Sequence, residues 1–301
     1  MYYIFSIIAG AIVSIMIVLN GKLSDSYGIY LATAVIHLIG LMFAAVITAV
    51  KKESLLPVKK APFHLYLGGA VGVLTVVFNN LCFGRISVSA ILAISLLGQG
   101  ITSLVFDQYG FFGMPKHKFH KNKLIGLSIV LVGIAIMVSY YEISAVMPIM
   151  FSLLTGLTVV LSRTVNAGLA EKSSVIRSTL YYYVAGFIFS FLLLIIFKRG
   201  NVPFSELSIS VNPVYFLGGM MGVLIIIIMN ATVAKISSLY MTLLLFAGQV
   251  FTGLAMDMIL THAFSLPNFL GGIFVTLGLC VNVIIDRRDR IKDGEAEIEP
   301  I

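Results

Sequence analysis

The chain has 301 residues, 59% of them hydrophobic and 11% charged, with a net charge of +7. A soluble domain carries about 25% charged residues, so this composition excludes a water-soluble fold and sets most of the chain against lipid or other buried helices. The basic residues fall mainly in short segments between apolar runs, which reads as membrane topology and argues against a nucleic-acid partner.

Apolar runs long enough to span a bilayer, about 20 residues each, lie at 3–24, 29–50, 65–84, 87–106, 122–141, 146–167, 177–198, 214–234, 237–258 and 267–285. The segments between them are polar or turn-forming: KLSDSYG, KKESLLPVKKAPFH, GRIS, DQYGFFGMPKHKFHKNK, AEKSSVIR, KRGNVPFSELSISVNP, AKISS and LTHAFSLPN. Tight breaks at Gly84–Arg85 and at Lys235 predict helical hairpins. The last residues, RIKDGEAEIEPI, read as a charged disordered tail. The expected fold is therefore an all-α integral membrane protein of ten transmembrane helices. The first span carries no basic leader and is expected to be retained. Of the 20 Lys and Arg, all but Lys22, Arg85, Lys198 and Arg199 fall on one side when the N-terminus is placed in the cytoplasm, with Arg163 counted in an inner loop. Both termini are then expected to be cytoplasmic. Cys82 and Cys280 lie in apolar runs and are expected to pack.

The chain repeats itself. LGGAVGVLTVVFNN at 67–80 matches LGGMMGVLIIIIMN at 217–230, and Gly98, Gln99 and Asp107 fall on Gly248, Gln249 and Asp257, all at an offset of 150. Asn20, Leu23, Gly40 and Lys52 fall on Asn166, Leu169, Gly186 and Lys198 at 146, and Gly126 and Gly133 on Gly271 and Gly278 at 145. The offset changes only in loops. The expected organisation is a first five-helix repeat over 1–142, a second over 143–286 and a tail over 287–301. Because five is odd, the second repeat enters the membrane from the opposite side, which is the inverted-repeat plan of many transporters.

The repeated G-Q…D and LGG-x-x-G segments resemble the YdcZ family of bacterial membrane proteins in its fused two-repeat form. That family is placed in the drug/metabolite transporter superfamily. The resemblance implies a ten-helix transporter in the bacterial inner membrane. It implies no substrate. Small multidrug exporters of that superfamily carry a glutamate in the first span, whereas here that span has Ser6, Ser14 and Asn20 and no acid.

Polar side chains inside spans face the bundle interior. Ser95, Gln99, Thr102 and Ser103 share one face of the fourth span. Thr242, Gln249 and Thr252 share one of the ninth. The amides of Gln99 and Gln249 read either as substrate ligands or as interhelical hydrogen bonds. The repeat-related pairs Asn20 with Asn166 and Asn80 with Asn230 are further binding candidates, with helix-end capping as the alternative. Thr155, Ser162 and Asn166 form a stripe, with Thr158 nearby, suited to lining a wet cavity. His37 aligns with Tyr183; the first could relay protons and the second could hold a cation on its ring, or both could simply be packed. Asp107 and Asp257 end the fourth and ninth spans and are gating or coupling candidates, each needing a partner against the helix dipole. The glycines at 68, 69 and 72, with mates at 218, 219 and 222, read as packing sites.

No HExxH, GxSxG or paired acids support an enzyme, and no cofactor or metal is expected; the two histidines of KHKFH at 116–120 are read as a basic loop. The expected partners are a small-molecule substrate, a coupling ion (proton or sodium), the lipid bilayer and, as a homodimer, a second copy. The expected function is secondary transport of a small polar or amphipathic metabolite by alternating access. A non-transporting scaffold or lipid-binding protein is the alternative.

Overall fold

The computed structural model describes residues 2–54, 56, 61–109, 122–139, 141, 145–198, 211–233 and 238–292. Among them run ten helices: α1 (Tyr2–Tyr27), α2 (Ile29–Val50), α3 (Gly68–Cys82), α4 (Val88–Tyr109), α5 (Lys123–Val138), α6 (Val146–Lys172), α7 (Val175–Phe197), α8 (Leu217–Val233), α9 (Ser238–Thr261) and α10 (Leu266–Lys292). Short 3-10 turns, Phe63–Leu67 and Pro213–Phe216, lead into α3 and α8. Each helix matches one apolar run of the sequence. Eight helices are long and apolar enough to cross a membrane among the described residues. Leu124–Val138 and Pro213–Met229 are apolar but shorter.

Large apolar side chains lie on the outside as well as in the core. Ile4, Met42, Ile188 and Ile284 face outward, while Ser14, His37, Thr48, Ser152 and Ser178 are buried. Apolar exteriors suit lipid, and buried hydroxyls are satisfied along their own helices, as where Thr48 donates to the Ala44 carbonyl at 2.7 Å. The chain is a multi-pass helical membrane protein.

Three boundaries differ from the sequence reading. KLSDSYG is not a loop: α1 continues through Tyr27 because Leu23 and Tyr27 are buried, and Gly28 alone reverses the chain with φ +76°. AEKSSVIR is helical to Lys172, and Ser174 then caps α7 by accepting from the Arg177 N–H at 3.2 Å. The first residues of the expected tail continue α10 to Lys292, whereas 293–301 and the KHKFH stretch lie outside the described residues. The hairpin at Gly84 is as expected, with φ +74° in the turn between α3 and α4.

Helix packing follows a pattern. α5 lies on α10 and α2 on α7. α1 packs on α8 and α9, and α6 packs on α3 and α4. Exchanging α1–α5 with α6–α10 maps these pairs onto themselves. The contact points repeat as well. A methyl group on Gly10 would overlap the Leu245 carbonyl, and one on Gly156 would overlap the Ser95 carbonyl. Gly10 and Gly156 are related by the offset of 146, and Ser95 and Leu245 by 150. Only glycine lets the two backbones meet there. Gly156→Leu is therefore expected to destabilise the protein by about 1–3 kcal/mol through overpacking, read as a lower Tm in detergent. Gly100→Ala, whose new Cβ would meet nothing within 4 Å, is expected to leave Tm unchanged or raised.

Candidate functional site

A cavity of about 320 Å³ lies between the two halves, lined from α1, α2, α3, α4, α6, α7, α8 and α9. That size is at the small end for ligand sites, roughly 300–1,000 Å³. Seven of the binding candidates named from the sequence line it, Asn20, His37, Ser95, Gln99, Asn166, Tyr183 and Gln249, together with Thr155 and Ser162 of the polar stripe.

The crossings at Gly10 and Gly156 position the two glutamines. Gly10 meets the backbone of Gln249 and Gly156 that of Gln99. Ser14 fastens the first crossing by donating to the Gln249 carbonyl at 2.7 Å. The side-chain amides of Gln99 and Gln249 form no hydrogen bond within the described residues, so neither acts there as interhelical glue. Asn20 is 4% exposed, and its Oδ1 has no hydrogen-bond partner among the described residues. A buried unpaired acceptor is costly and calls for a donor.

His37 and Tyr183 pack together with ring centroids 6.1 Å apart. His37 Nδ1 donates to the Thr33 carbonyl at 2.8 Å, which leaves Nε2 as the acceptor nitrogen of the ring. The Tyr183 hydroxyl donates to the Gly219 carbonyl at 3.5 Å.

Two candidates fall elsewhere. Asn80 is buried in α3 away from the cavity, with its Nδ2 unpartnered among the described residues. Asp257 bridges two helices. The Val88 N–H donates to its Oδ1 at 2.6 Å, and the Ser89 N–H and hydroxyl donate to its Oδ2 at 3.0 and 2.6 Å. It is thus an N-cap supplied to α4 from α9, and the positive end of α4 answers the unfavourable dipole at the end of α9. Lys22, Asp25 and Arg85 line a second depression beside it. The side chains of Thr242, Asn230 and Asp107 lie outside the described residues.

Two cavity residues escape the sequence reading. Asn79, next to Asn80, lines the cavity, and its Oδ1 is buried and unpartnered among the described residues. Arg163, counted from the sequence as an inner-loop residue, lies instead inside α6 and is exposed into the cavity. The available signal is an Arg beside Ser162 within an apolar helix, since an intramembrane ionisable group is a functional candidate by default.

A family model described as "Putative inner membrane exporter, YdcZ" matches residues 1–136 and again residues 147–281. The chain belongs to the YdcZ family. One family unit matched twice in succession makes it a two-repeat YdcZ protein. A solved structure described only as "Crystal structure of protein" is 14% identical and superposes with a TM-score of 0.61 over 95% of this chain and 96% of that one. At that identity the likeness is one of fold. No curated protein matches the chain.

Replacing Asp257 by Ala removes three hydrogen bonds and strands two backbone donors. The expected cost is about 1–3 kcal/mol, with Asp257→Asn intermediate. Thermal unfolding measures the loss, and faster amide exchange at Val88 and Ser89 localises it.

Proposed function

We propose that this YdcZ protein is a secondary exporter that moves a small polar or amphipathic metabolite across the inner membrane by alternating access. The observation that carries the reading is the pair Gln99 and Gln249. They are repeat mates from the middles of α4 and α9, and they open without a partner among the described residues onto one cavity between the halves. In this reading α5 and α8 complete ten spans, residues 1–142 and 143–286 form inverted repeats, and both termini are cytoplasmic, as the Lys and Arg distribution favours. The family's description as an exporter points away from an enzyme.

The Asp257 cap closes one end of the cavity by tying α9 to the start of α4. Asp107, its repeat mate, serves the same role at the other end in the opposite state. Alternating access then amounts to releasing one cap and forming the other. Among the described lining residues His37 alone is of a type that titrates near neutral pH, which makes it the candidate for proton coupling.

A single-cysteine probe tests this without knowledge of the cargo. Gln99→Cys, in a background of Cys82→Ser and Cys280→Ser, is treated with an impermeant sulfonated methanethiosulfonate in sealed right-side-out and inside-out vesicles. Labelling from both faces is expected. Labelling from one face only, or from neither, would sink alternating access and favour a scaffold.

A further inference from the structure

The cavity's frame is symmetric and its chemistry is not. Among the described lining residues Arg163 is the one permanently charged group, and no Asp or Glu is present. Arg163 makes no hydrogen bond or ion pair among the described residues and is exposed into the cavity. Its repeat mate at the offset of 146 is Ile17, which also lines the cavity and is 4% exposed. The neighbouring pairs diverge in the same sense. Ser162 of α6 answers to Met16 of α1. Thr75 and Asn79 of α3 answer to Ile225 and Met229 of α8, and Ser95 of α4 answers to Leu245 of α9. Helices α3, α4 and α6, which pack together, therefore build a polar wall with one guanidinium. Helices α1, α8 and α9 build the other wall, which is apolar apart from the amides of Asn20 and Gln249.

Resting on the transport reading above, we infer that the cargo is a small amphipathic organic anion. Its oxyanion head, a carboxylate or a phosphate ester, pairs with Arg163, and its apolar body lies on the wall of Met16, Ile17 and Leu245. An uncompensated guanidinium in a cavity without acids attracts an anion and repels a cation, and the planar fork of Arg matches both oxyanions. The unpartnered Oδ1 atoms of Asn20 and Asn79 favour a cargo that also carries a hydroxyl or N–H donor. The volume suits such a molecule and not a two-chain lipid.

The test is ligand-induced stabilisation of the full-length protein. Benzoate and phenyl phosphate are compared with their neutral and cationic counterparts, benzamide and benzylamine, and acetate, butyrate and hexanoate form a length series. Benzoate or phenyl phosphate is expected to raise Tm where benzamide and benzylamine do not, and the stronger of the two identifies the head. Affinity is expected to rise about fourfold per added methylene along the series. Arg163→Gln is expected to weaken anion binding at least about tenfold, with Arg163→Lys retaining part of it. Stabilisation by benzylamine or benzamide equal to that by benzoate overturns the inference, and this wild-type comparison stands even where Arg163→Gln fails to purify. Unchanged anion binding in a folded Arg163→Gln protein overturns it as well. Two-sided cysteine access without anion selectivity removes the cargo class and leaves transport intact, whereas anion binding with one-sided access retains the site and removes transport.

Discussion

The architecture depends on backbone-to-backbone contact at glycine. In lipid, helix surfaces gain little by leaving an equally apolar solvent, so association rests on close packing and polar contacts. At Gly10 against Leu245 and at Gly156 against Ser95, any side chain would overlap a carbonyl of the neighbouring helix. Those two crossings lock α1 to α9 and α6 to α4. They also fix the backbones of Gln249 and Gln99, whose amides then open onto the space the crossed helices leave. α5 and α10 follow the same rule: Gly133 faces Gly271 and Gly126 faces Gly278, each mate pair meeting the other.

Frame and chemistry are thus carried by different residues. The residues that repeat between the halves are largely those that set distances: the glycines at the helix crossings and the paired amides, Gln99 with Gln249 and Asn20 with Asn166. The residues that make the cavity polar on one side are those that do not repeat, with Arg163 facing Ile17, Asn79 facing Met229 and Ser95 facing Leu245. Duplication supplies two similar scaffolds. Divergence at the lining then gives the cavity a direction that a perfectly symmetric site would lack.

This division explains what the sequence makes legible. Apolar run length locates the helices to within a few residues, because lipid imposes both the length and the composition. Repeat matching finds Gln99, Gln249, Asn20 and Asn166, since each pair serves equivalent positions. The same logic favours Asn80 over Asn79 because Asn80 has a mate at Asn230, yet the unmatched Asn79 faces the cavity. It also passes over Arg163: counting basic residues for topology assumes that they mark loops, and a cation that lines an internal cavity breaks the assumption. Helix ends are misplaced where a single residue reverses the chain, as at Gly28, because the polar letters of KLSDSYG hide the buried apolar side chains of Leu23 and Tyr27 that keep α1 helical.

The Asp257 cap bears on how such a frame could cycle. In the proposed cycle its three hydrogen bonds close one end without a covalent or multiply paired ionic lock. Each contributes about 1 kcal/mol net when the released groups regain water, and more when they do not. Such a seal holds the end shut while its donors stay dry, yet it is weak enough for an equal cap at the other end to replace it. A buried ion pair would resist release by several kcal/mol more, and an apolar plug would offer no partner to exchange with. In the proposed cycle the carboxylates of Asp257 and Asp107, at repeat-related helix ends, take turns at this capping, which meets the requirement that the two closed states differ little in energy.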